Sequence, residues 1–186
     1  LKITVAPESS FFIRTSYLLT VAPEAIAEGA EFNGDAEQDL LNAGLCYSAE
    51  RKAVDYLIRA EQSRFSLERK LAEKGFEKQY VARALDFLEG ERYLSDERFA
   101  RAWLNARKVG HCEGRRRLEC ELAVRGIKKT VAAAALDEFF GENSEEEICR
   151  KAVEKCRRQK VPEDKLLKKL SLKGFSLKMI EKCLKI

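Results

Sequence analysis

The most reactive side chains in this 186-residue chain belong to six cysteines and a single histidine. No two cysteines form a C-x-x-C pair, whereas a zinc site needs about four ligands at a recurrent spacing. His111 stands beside Cys112, with Cys120 eight residues later, and this set falls short of four ligands. We therefore predict no metal site, and we interpret most cysteines as reduced core residues that occupy small apolar positions of helices.

Groupings suited to catalysis are also scarce. The sequence contains no glycine-rich phosphate loop and no nucleophile–base pair, and one histidine provides no matched acid and base. Asp96 is expected to stabilise the first turn of a helix. Phe99 and Trp103, four residues apart, are expected to anchor a core rather than to stack on bases. The sequence predicts no enzymatic activity, no catalytic residue and no cofactor.

The charge distribution favours a polyanionic partner. Residues 1–50 carry two basic and eight acidic residues, residues 51–143 carry 20 and 16, and residues 144–186 carry 13 and seven, for a total of +4. A surface that becomes more basic toward the C-terminus attracts a polyanion through long-range forces and counterion release. The alternative is that these charges only solvate the outer faces of helices.

The overall composition indicates a folded, helix-rich chain. Apolar residues make up 45% of the sequence and charged residues 35%, with only three prolines. No stretch approaches the roughly 20 uncharged apolar residues of a membrane helix, and no secretory signal is recognisable. We therefore expect a cytoplasmic protein without a membrane partner.

The first 45 residues lack a helical stripe. The alternation at Ile3 and Val5, the turn-like residues 6–10 and the alternation over residues 13–21 predict a small β-hairpin. Asp35, with Gln38 three residues later, predicts a capped short helix that ends near Gly44. We interpret this acidic section as an appendage.

From Ser48 onward the chain repeats one pattern three times. Two leucines four residues apart share a helix face, and a basic residue and a glycine then predict the helix end with a left-handed cap. Another leucine stands ten residues after each glycine, so a second helix follows. The copies are Leu67, Leu71, Lys74, Gly75 and Phe76; Leu118, Leu122, Arg125, Gly126 and Ile127; and Leu166, Leu170, Lys173, Gly174 and Phe175.

A further helix precedes each pair. Ser48, Ser95 and Ser144 are typical helix caps and predict helices over 49–61, 96–108 and 145–159, and Pro162 suits the start of the last pair. The unit is thus a three-helix module of about 50 residues. We predict a mainly α fold in which three tandem three-helix repeats form an elongated, curved solenoid with a small N-terminal β-hairpin. The predicted domains are residues 1–45, 46–92, 93–142 and 143–186.

A three-helix module with a glycine turn has the outline of helix-turn-helix DNA-binding domains. The third helix of the middle repeat reads VAAAAL over residues 131–136, and such a helix packs but has no side chains that read bases. The stretch YLSDERFARAW over residues 93–103, together with Gly110, Arg115 to Leu118, Glu121 to Leu122 and Arg125 to Ile127, resembles the RecX family of RecA regulators. The resemblance extends over residues 48–186, with Ser95 where the family often has an acidic residue.

The resemblance implies a modulator that binds in the helical groove of the RecA–DNA filament and lowers its strand-exchange, ATPase and coprotease activities. An elongated series of modules suits a long, periodic groove. Single- and double-stranded DNA are expected to bind more weakly and in a salt-dependent way. We expect a monomer. The alternatives are a sequence-tolerant DNA-binding protein of tandem modules with no recombinase partner, and a pure protein-interaction scaffold.

Basic residues near the repeat junctions are the predicted partner and DNA contacts. The densest cluster is residues 115–117, of which at most two can face one partner because consecutive helical side chains point about 100° apart. The alternative for each cation is a solvated face paired with Glu113, Glu119 or Glu121. The predicted contact residues are Arg64, Arg69, Lys70, Arg98, Arg101, Arg107, Lys108, Arg115, Arg116, Arg117, Lys128 and Lys129.

Overall fold

The computed structural model describes residues 1–6, 9–108 and 110–184. It divides into two compact units, residues 1–95 and 96–186. The predicted mainly α fold with an N-terminal β-hairpin is confirmed. The elements in the described part are strands β1 (Lys2–Ala6) and β2 (Ser9–Phe12), then helices α1 (Gly34–Leu57), α2 (Arg64–Ala72), α3 (Lys78–Gly90), α4 (Asp96–Lys108), α5 (Arg115–Val124), α6 (Lys129–Glu142), α7 (Glu145–Arg158), α8 (Glu163–Leu172) and α9 (Leu177–Leu184).

The second strand of the hairpin begins earlier in the chain than the sequence predicts, and part of the predicted turn over residues 6–10 lies outside the described residues. Strands β1 and β2 pair antiparallel with Lys2 opposite Phe12 and Thr4 opposite Ser10. The predicted second strand over residues 13–21 is wrong, because this stretch leaves the sheet and contains a short 3₁₀ turn at Thr15–Tyr17. Its alternating residues Ile13, Tyr17 and Val21 are buried against α1 instead of lining a sheet face.

Helix α1 replaces two predicted helices. The helix runs without interruption from Gly34 to Leu57, so the predicted cap at Ser48 and the predicted helix end near Gly44 are both wrong. The capping box of Asp35 and Gln38 is also wrong, because the N-cap residue is Asn33 and Gln38 donates to the side chain of Asn42. The predicted domain division after residue 45 would therefore fall inside a helix, and the divisions after 92 and 142 stay predictions.

A small-residue stripe explains the continuity of α1. Ala43, Cys46, Ala49 and Ala53 are all fully buried and follow one another at helical spacing of three or four. Gly44 lies in the same helix, and glycine suits this position because a Cβ there would stand 2.6 Å from the Phe11 ring of β2. The helix signal is thus carried by small side chains, which periodicity analysis of large apolar residues overlooks.

The three glycine turns have one geometry. Gly75, Gly126 and Gly174 have φ angles of +85°, +78° and +91°. In the first turn the N–H of Phe76 donates to the carbonyl of Leu71 at 3.1 Å, and the N–H of Gly75 donates to Ala72 at 2.9 Å. The same pair of bonds recurs in the other two turns. These are Schellman caps, as the repeat pattern predicts.

Helices α3 and α7 end with the same pair of bonds but without glycine. Their left-handed residues are Arg92, with φ of 60°, and Lys160, with φ of 54°. A side chain in this region costs about 1 kcal/mol or more relative to glycine. The sequence gives no glycine signal at these two helix ends.

Helix starts match the sequence pattern in part. Helix α4 begins directly after Ser95, and the Ser144 hydroxyl accepts from the N–H of Glu147 at the start of α7. Pro162 is the N-cap of α8. The sequence pattern missed the cap of α2, where the buried Ser63 hydroxyl accepts from Ser66 N–H at 3.2 Å.

Each repeat has its own apolar cluster. The paired leucines of the three copies are between 0% and 2% exposed, which confirms that each pair faces a core. Four cysteines are buried, as predicted, whereas Cys112 is half-buried and Cys120 is exposed. The predicted core roles of Phe99 and Trp103 agree with their packing against the cluster of the second repeat. In the described part of the chain no helix is long and apolar enough to cross a membrane.

Two buried carboxylates attach the N-terminal section to α1. Asp39 accepts the N–H groups of Leu19, Thr20 and Val21 at 2.8 to 3.1 Å and the Thr20 hydroxyl at 3.1 Å. Glu50 accepts from the Arg14 guanidinium and, at 3.0 Å, from the Tyr17 hydroxyl. The predicted appendage is therefore an integrated part of the first unit.

Candidate interaction surface

The predicted cations of the first repeat are mostly engaged within the repeat. The Arg64 guanidinium contacts Glu68 at 3.1 Å, Asp86 at 2.8 Å and Glu89 at 2.6 Å, so it joins α2 to α3. Burial lowers the Arg64 pKa, but the hydrogen bonds and charges of Asp86 and Glu89 outweigh burial and raise it. This arginine is a structural clamp.

The two remaining cations of α2 differ in exposure. Arg69 is largely exposed and lies 3.7 Å from Glu73, an (i, i+4) contact worth little at a surface. Lys70 is half-buried, with its Nζ 2.7 Å from the Gln62 side-chain oxygen and 5.1 Å from the centre of the Tyr56 ring. Arg69 is therefore the more available cation of the two.

Helix α4 contributes four predicted cations. Arg98 is half-buried, and Arg101 reaches Glu138 of α6 at 2.7 Å. Arg107 forms two bonds with Glu113, at 2.9 and 2.7 Å, and stacks 5.0 Å from the Trp103 ring. Lys108, at the end of the helix, is exposed.

The arginine triplet starts α5, and its three members have different surroundings. Arg115 contacts Asp137 at 2.6 Å, and its backbone N–H donates to Glu145 at 2.9 Å. Arg117 pairs with Glu121 at 2.5 Å. Arg116 is exposed and forms no ion pair among the described residues. Arg116 is therefore the arginine of the triplet that is immediately available to a partner.

Glu121 is the centre of an arginine network in the second repeat. It contacts Arg117 and also Arg125, whose guanidinium stands 2.7 Å from its carboxylate and 4.6 Å from the centre of the Trp103 ring. The hydrogen bond from Arg125 lowers the Glu121 pKa first, burial opposes it, and the charges of Arg117, Arg125 and Arg107 add to the lowering. These arginines hold α4 and α5 in place.

Lys128 and Lys129 form the start of α6, directly after the Gly126 turn. Both are exposed, and no acidic residue lies in the first turn of this helix. Cations at the positive end of a helix dipole are unfavourable for the helix itself. Their charge is therefore directed to solvent rather than used within the fold.

The predicted contact residues thus divide into two groups. Most are engaged with carboxylates, amides or rings of their own repeat. Among the described residues, the exposed members without an ion pair are Lys108, Arg116, Lys128 and Lys129.

The sequence prediction did not include the third repeat, where further cations are available. Within the described ranges these lysines are exposed and have no ion pair, and three of them lie on α8 and α9. The excess of six positive charges over residues 144–186 was the signal that pointed to them. They include Lys151, Lys165, Lys168 and Lys178.

The second and third repeats meet at the start of α5. The Gly114 N–H donates to the Lys173 carbonyl at 2.9 Å, and the Lys173 Nζ donates to the Cys112 carbonyl at 3.3 Å. A Cβ on Gly174 would stand 2.3 Å from the Arg117 nitrogen, so glycine is required for this contact as well as for the turn. The arginine triplet therefore borders the repeat junction, which is where the sequence places it.

A cavity of about 130 Å³ lies between α4, α6 and α7. Its charged lining combines Arg107, Lys108 and Lys151 with Glu113, Glu142 and Glu147, so that the two signs balance. No group of three or more potential metal ligands occurs among the described residues. The arrangement suits binding through an extended charged surface better than binding of a small anion in this cavity.

Comparisons with known proteins identify the repeats. The profile of the RecX first three-helix domain matches residues 49–88, and that of the RecX second three-helix domain matches residues 95–136. A regulatory protein RecX from Treponema pallidum is 38% identical over 141 residues, which cover 76% of this chain and 86% of that protein. A regulatory protein RecX from Caldanaerobacter subterraneus is 28% identical over 180 residues, covering 94% and 91%.

Solved structures show the same fold. A crystal structure of regulatory protein RecX superposes with a TM-score of 0.76 at 22% identity and covers 87% of this chain and 82% of that chain. RecX from Lactobacillus salivarius gives a TM-score of 0.65 at 19% identity, with 76% and 95% covered. With two RecX domain profiles in consecutive repeats and 38% identity across three quarters of its length, the chain belongs to the RecX family of regulatory proteins.

Proposed function

We propose that this protein is a regulator of the RecA recombinase that binds in the groove of the RecA–DNA filament and lowers its ATPase, strand-exchange and coprotease activities. The observation that carries the proposal is the match to regulatory proteins RecX over most of the chain. The repeated module supports it, because similar modules in series present similar contacts to a periodic partner.

The available cations are the basis for the proposed contact surface. Lys108, Arg116, Lys128 and Lys129 have exposed charges that no carboxylate of the described chain neutralises. Such charges attract a polyanionic filament at long range and release counterions on binding. An arginine such as Arg101 or Arg107 must first give up an existing ion pair, so it contributes less.

The test is RecA-catalysed, single-stranded-DNA-dependent ATP hydrolysis with this protein titrated in. We expect suppression at amounts below one protein per RecA subunit. The variant Arg116→Ala/Lys128→Ala/Lys129→Ala should require roughly tenfold more protein for the same suppression, since three exposed contacts at about 0.5 kcal/mol each amount to about 1.5 kcal/mol. Wild-type protein that leaves hydrolysis unchanged would refute the proposal.

A matched control separates a local surface from net charge. The variant Lys165→Ala/Lys168→Ala/Lys178→Ala removes the same three charges from exposed positions of the third repeat. If the proposed surface is correct, this third-repeat variant should lose less of the suppression of ATP hydrolysis than the second-repeat variant with Arg116, Lys128 and Lys129 replaced. Equal losses would mean that suppression depends on overall charge, and loss only in the third-repeat variant would move the contact surface there.

A second candidate is a sequence-tolerant DNA-binding protein that acts without a recombinase. The unpaired lysines of the third repeat favour it, because exposed lysines bind phosphates as simple point charges. Binding to bare single-stranded DNA and to RecA filaments on the same DNA, between 50 and 200 mM salt, discriminates the candidates. Tighter binding to filaments supports the regulator, whereas equal affinities with a steep salt dependence support the DNA-binding protein.

A further inference from the structure

The core of the third repeat contains an unusual concentration of thiols. Cys149, Cys156 and Cys183 are buried in one cluster, and Cys112 packs against its edge. The position nine residues after the repeat glycine is Ala84 in the first repeat and Ala135 in the second, but Cys183 in the third. The thiols of this repeat occupy sites where the fold requires only a small apolar side chain.

Two of these thiols lie on helices that pack against each other. Cys149 lies on α7 and Cys183 on α9, and both are almost fully buried at 0% and 4% exposure. The Cys183 thiol is close enough to the Cys149 thiol to raise its pKa. The Cys183 Sγ also lies 3.8 Å from the carbonyl of Glu146, one turn before Cys149. Helix α9 thus places the Cys183 sulfur beside the turn of α7 that carries Cys149.

The third buried thiol of the cluster is too far away to compete. Cys156 follows Cys149 by seven residues on α7, which corresponds to a rise of about 10 Å along the helix. It lies in the same buried cluster but about 10 Å along α7 from Cys149, and it therefore serves as an internal control.

We propose that Cys149 and Cys183 are a redox-active dithiol whose disulfide covalently joins α9 to α7. The co-reactant is a low-molecular-weight disulfide, for which oxidised glutathione is the probe. One protein thiolate attacks a sulfur of the probe and releases one glutathione thiolate. The second protein thiol, after losing its proton, displaces the other glutathione from the mixed disulfide. Two S–H bonds and the S–S bond of the probe break, and one protein S–S bond and two glutathione thiols form.

Burial determines when this exchange can occur. Desolvation, with the neighbouring Cys183 thiol as the next cause, raises the pKa of the Cys149 thiol, so Cys149 is not a thiolate while the core is closed. The described part of helix α9 has eight residues, and short helices open locally more often than the core unfolds. The dithiol therefore reacts through opening of α9, more slowly than the exposed Cys120.

The test uses the full-length chain carrying Cys120→Ser, which removes the exposed thiol. The protein is incubated with oxidised glutathione, its remaining thiols are alkylated, and it is digested without reduction. We expect one peptide pair linked through Cys149 and Cys183. Before alkylation, the intact mass should be lower than that of the reduced protein by about two hydrogens. The thermal midpoint should rise on oxidation and return with dithiothreitol, because a cross-link restricts the unfolded chain.

Matched variants complete the test. Cys156→Ser should retain the cross-link, whereas Cys183→Ser should lose it and leave Cys149 either unmodified or as a mixed disulfide. A different cysteine pair in the digest, or a native protein that stays fully reduced while the same protein oxidises in urea, would overturn the proposal. The linked peptide pair is detected in a protein whose buried cysteines are unchanged. A misfolded Cys183→Ser variant therefore does not affect the conclusion.

Discussion

The N-terminal section and the repeats are held together by different kinds of contact. Residues 13–21 are fixed to α1 by two buried carboxylates, Asp39 and Glu50, that bond groups 18 to 36 residues away. The repeats are held by clusters of buried leucines and by helix caps whose bonded partners lie within a few residues, such as Leu71 with Phe76. The pattern of leucines and caps can recur three times along a chain, whereas the buried carboxylates join one particular pair of segments.

Apolar clusters and buried carboxylates also respond differently to a single substitution. An apolar cluster of several leucines loses part of its stabilisation when one side chain shrinks. A buried carboxylate that accepts several N–H groups leaves all of them unsatisfied when it is removed. The first unit should therefore be more sensitive to a single polar substitution than the second unit, in which no comparable buried acid is found among the described residues.

The largest expected effect is that of Asp39→Ala. Three backbone N–H groups would lose their acceptor in a buried site, at a cost of about 1 kcal/mol or more each, so we expect a loss of about 3–5 kcal/mol in the free energy of unfolding of the first unit. Urea unfolding with hydrogen-exchange mass spectrometry on peptides from residues 13–57 measures it. Asp35→Ala, in the exposed first turn of the same helix, is the control and should cost less than about 1 kcal/mol. Equal losses for the two variants would contradict the role given to Asp39.

A pair of glycine substitutions applies the comparison within the repeats. Gly75 and Gly174 have similar φ angles, of +85° and +91°, but a Cβ on Gly75 meets nothing within 4 Å. Alanine at Gly75 therefore measures only the cost of a side chain in the left-handed cap, a loss of about 1–2 kcal/mol in the free energy of unfolding. Alanine at Gly174 adds a collision at 2.3 Å with the Arg117 backbone, and we expect about 3 kcal/mol in total.

Thermal or urea unfolding of the two glycine variants gives the difference directly. The excess for Gly174→Ala reports the junction between the second and third repeats, because that contact is absent at Gly75. If both variants lost the same stability, the close approach of Gly174 to α5 would contribute nothing, and the second unit would consist of two independent repeats.

Much of this comparison can be read from the sequence, but not all of it. Leu118 and Leu122 with Gly126 are visible because their spacing is fixed by helix geometry. The pair of Asp39 and Val21 is invisible, since an acid on a helix is far more often solvated than buried. Availability of the cations has the same limit. The (i, i+4) pair of Arg117 and Glu121 follows from spacing, whereas the pair of Arg101 and Glu138 spans 37 residues and needs the fold.

Acid should weaken the N-terminal attachment. Burial alone would raise the Asp39 pKa, but the N–H groups of Val21, Thr20 and Leu19 and the Thr20 hydroxyl lower it below the ordinary value. A folded-state pKa below the unfolded value of about 3.9 means that the stabilisation is complete well above that pH and is lost as the pH falls through the folded pKa. The melting temperature can be measured by far-UV circular dichroism at about pH 6 and pH 3. Between these pH values it should fall less in Asp39→Asn than in wild type, and an equal fall in both proteins would contradict this assignment.

The smallest expected effect is a gain in stability at the end of α7, one of the two caps that lack a glycine. Lys160 has φ of 54° and its side chain is exposed, and its N–H already makes the cap bond to the Arg157 carbonyl at 2.9 Å. Lys160→Gly keeps this bond and removes the Cβ penalty, so we expect the second unit to become more stable by about 0.5–1 kcal/mol, the greater freedom of glycine in the unfolded chain offsetting part of the gain. Urea unfolding followed by the fluorescence of Trp103 measures it, with Lys165→Gly inside α8 as a control that should lose about 1 kcal/mol. A loss of stability in Lys160→Gly would mean that the lysine side chain stabilises this turn. The preference for glycine seen at the three glycine turns would then not hold at the end of α7.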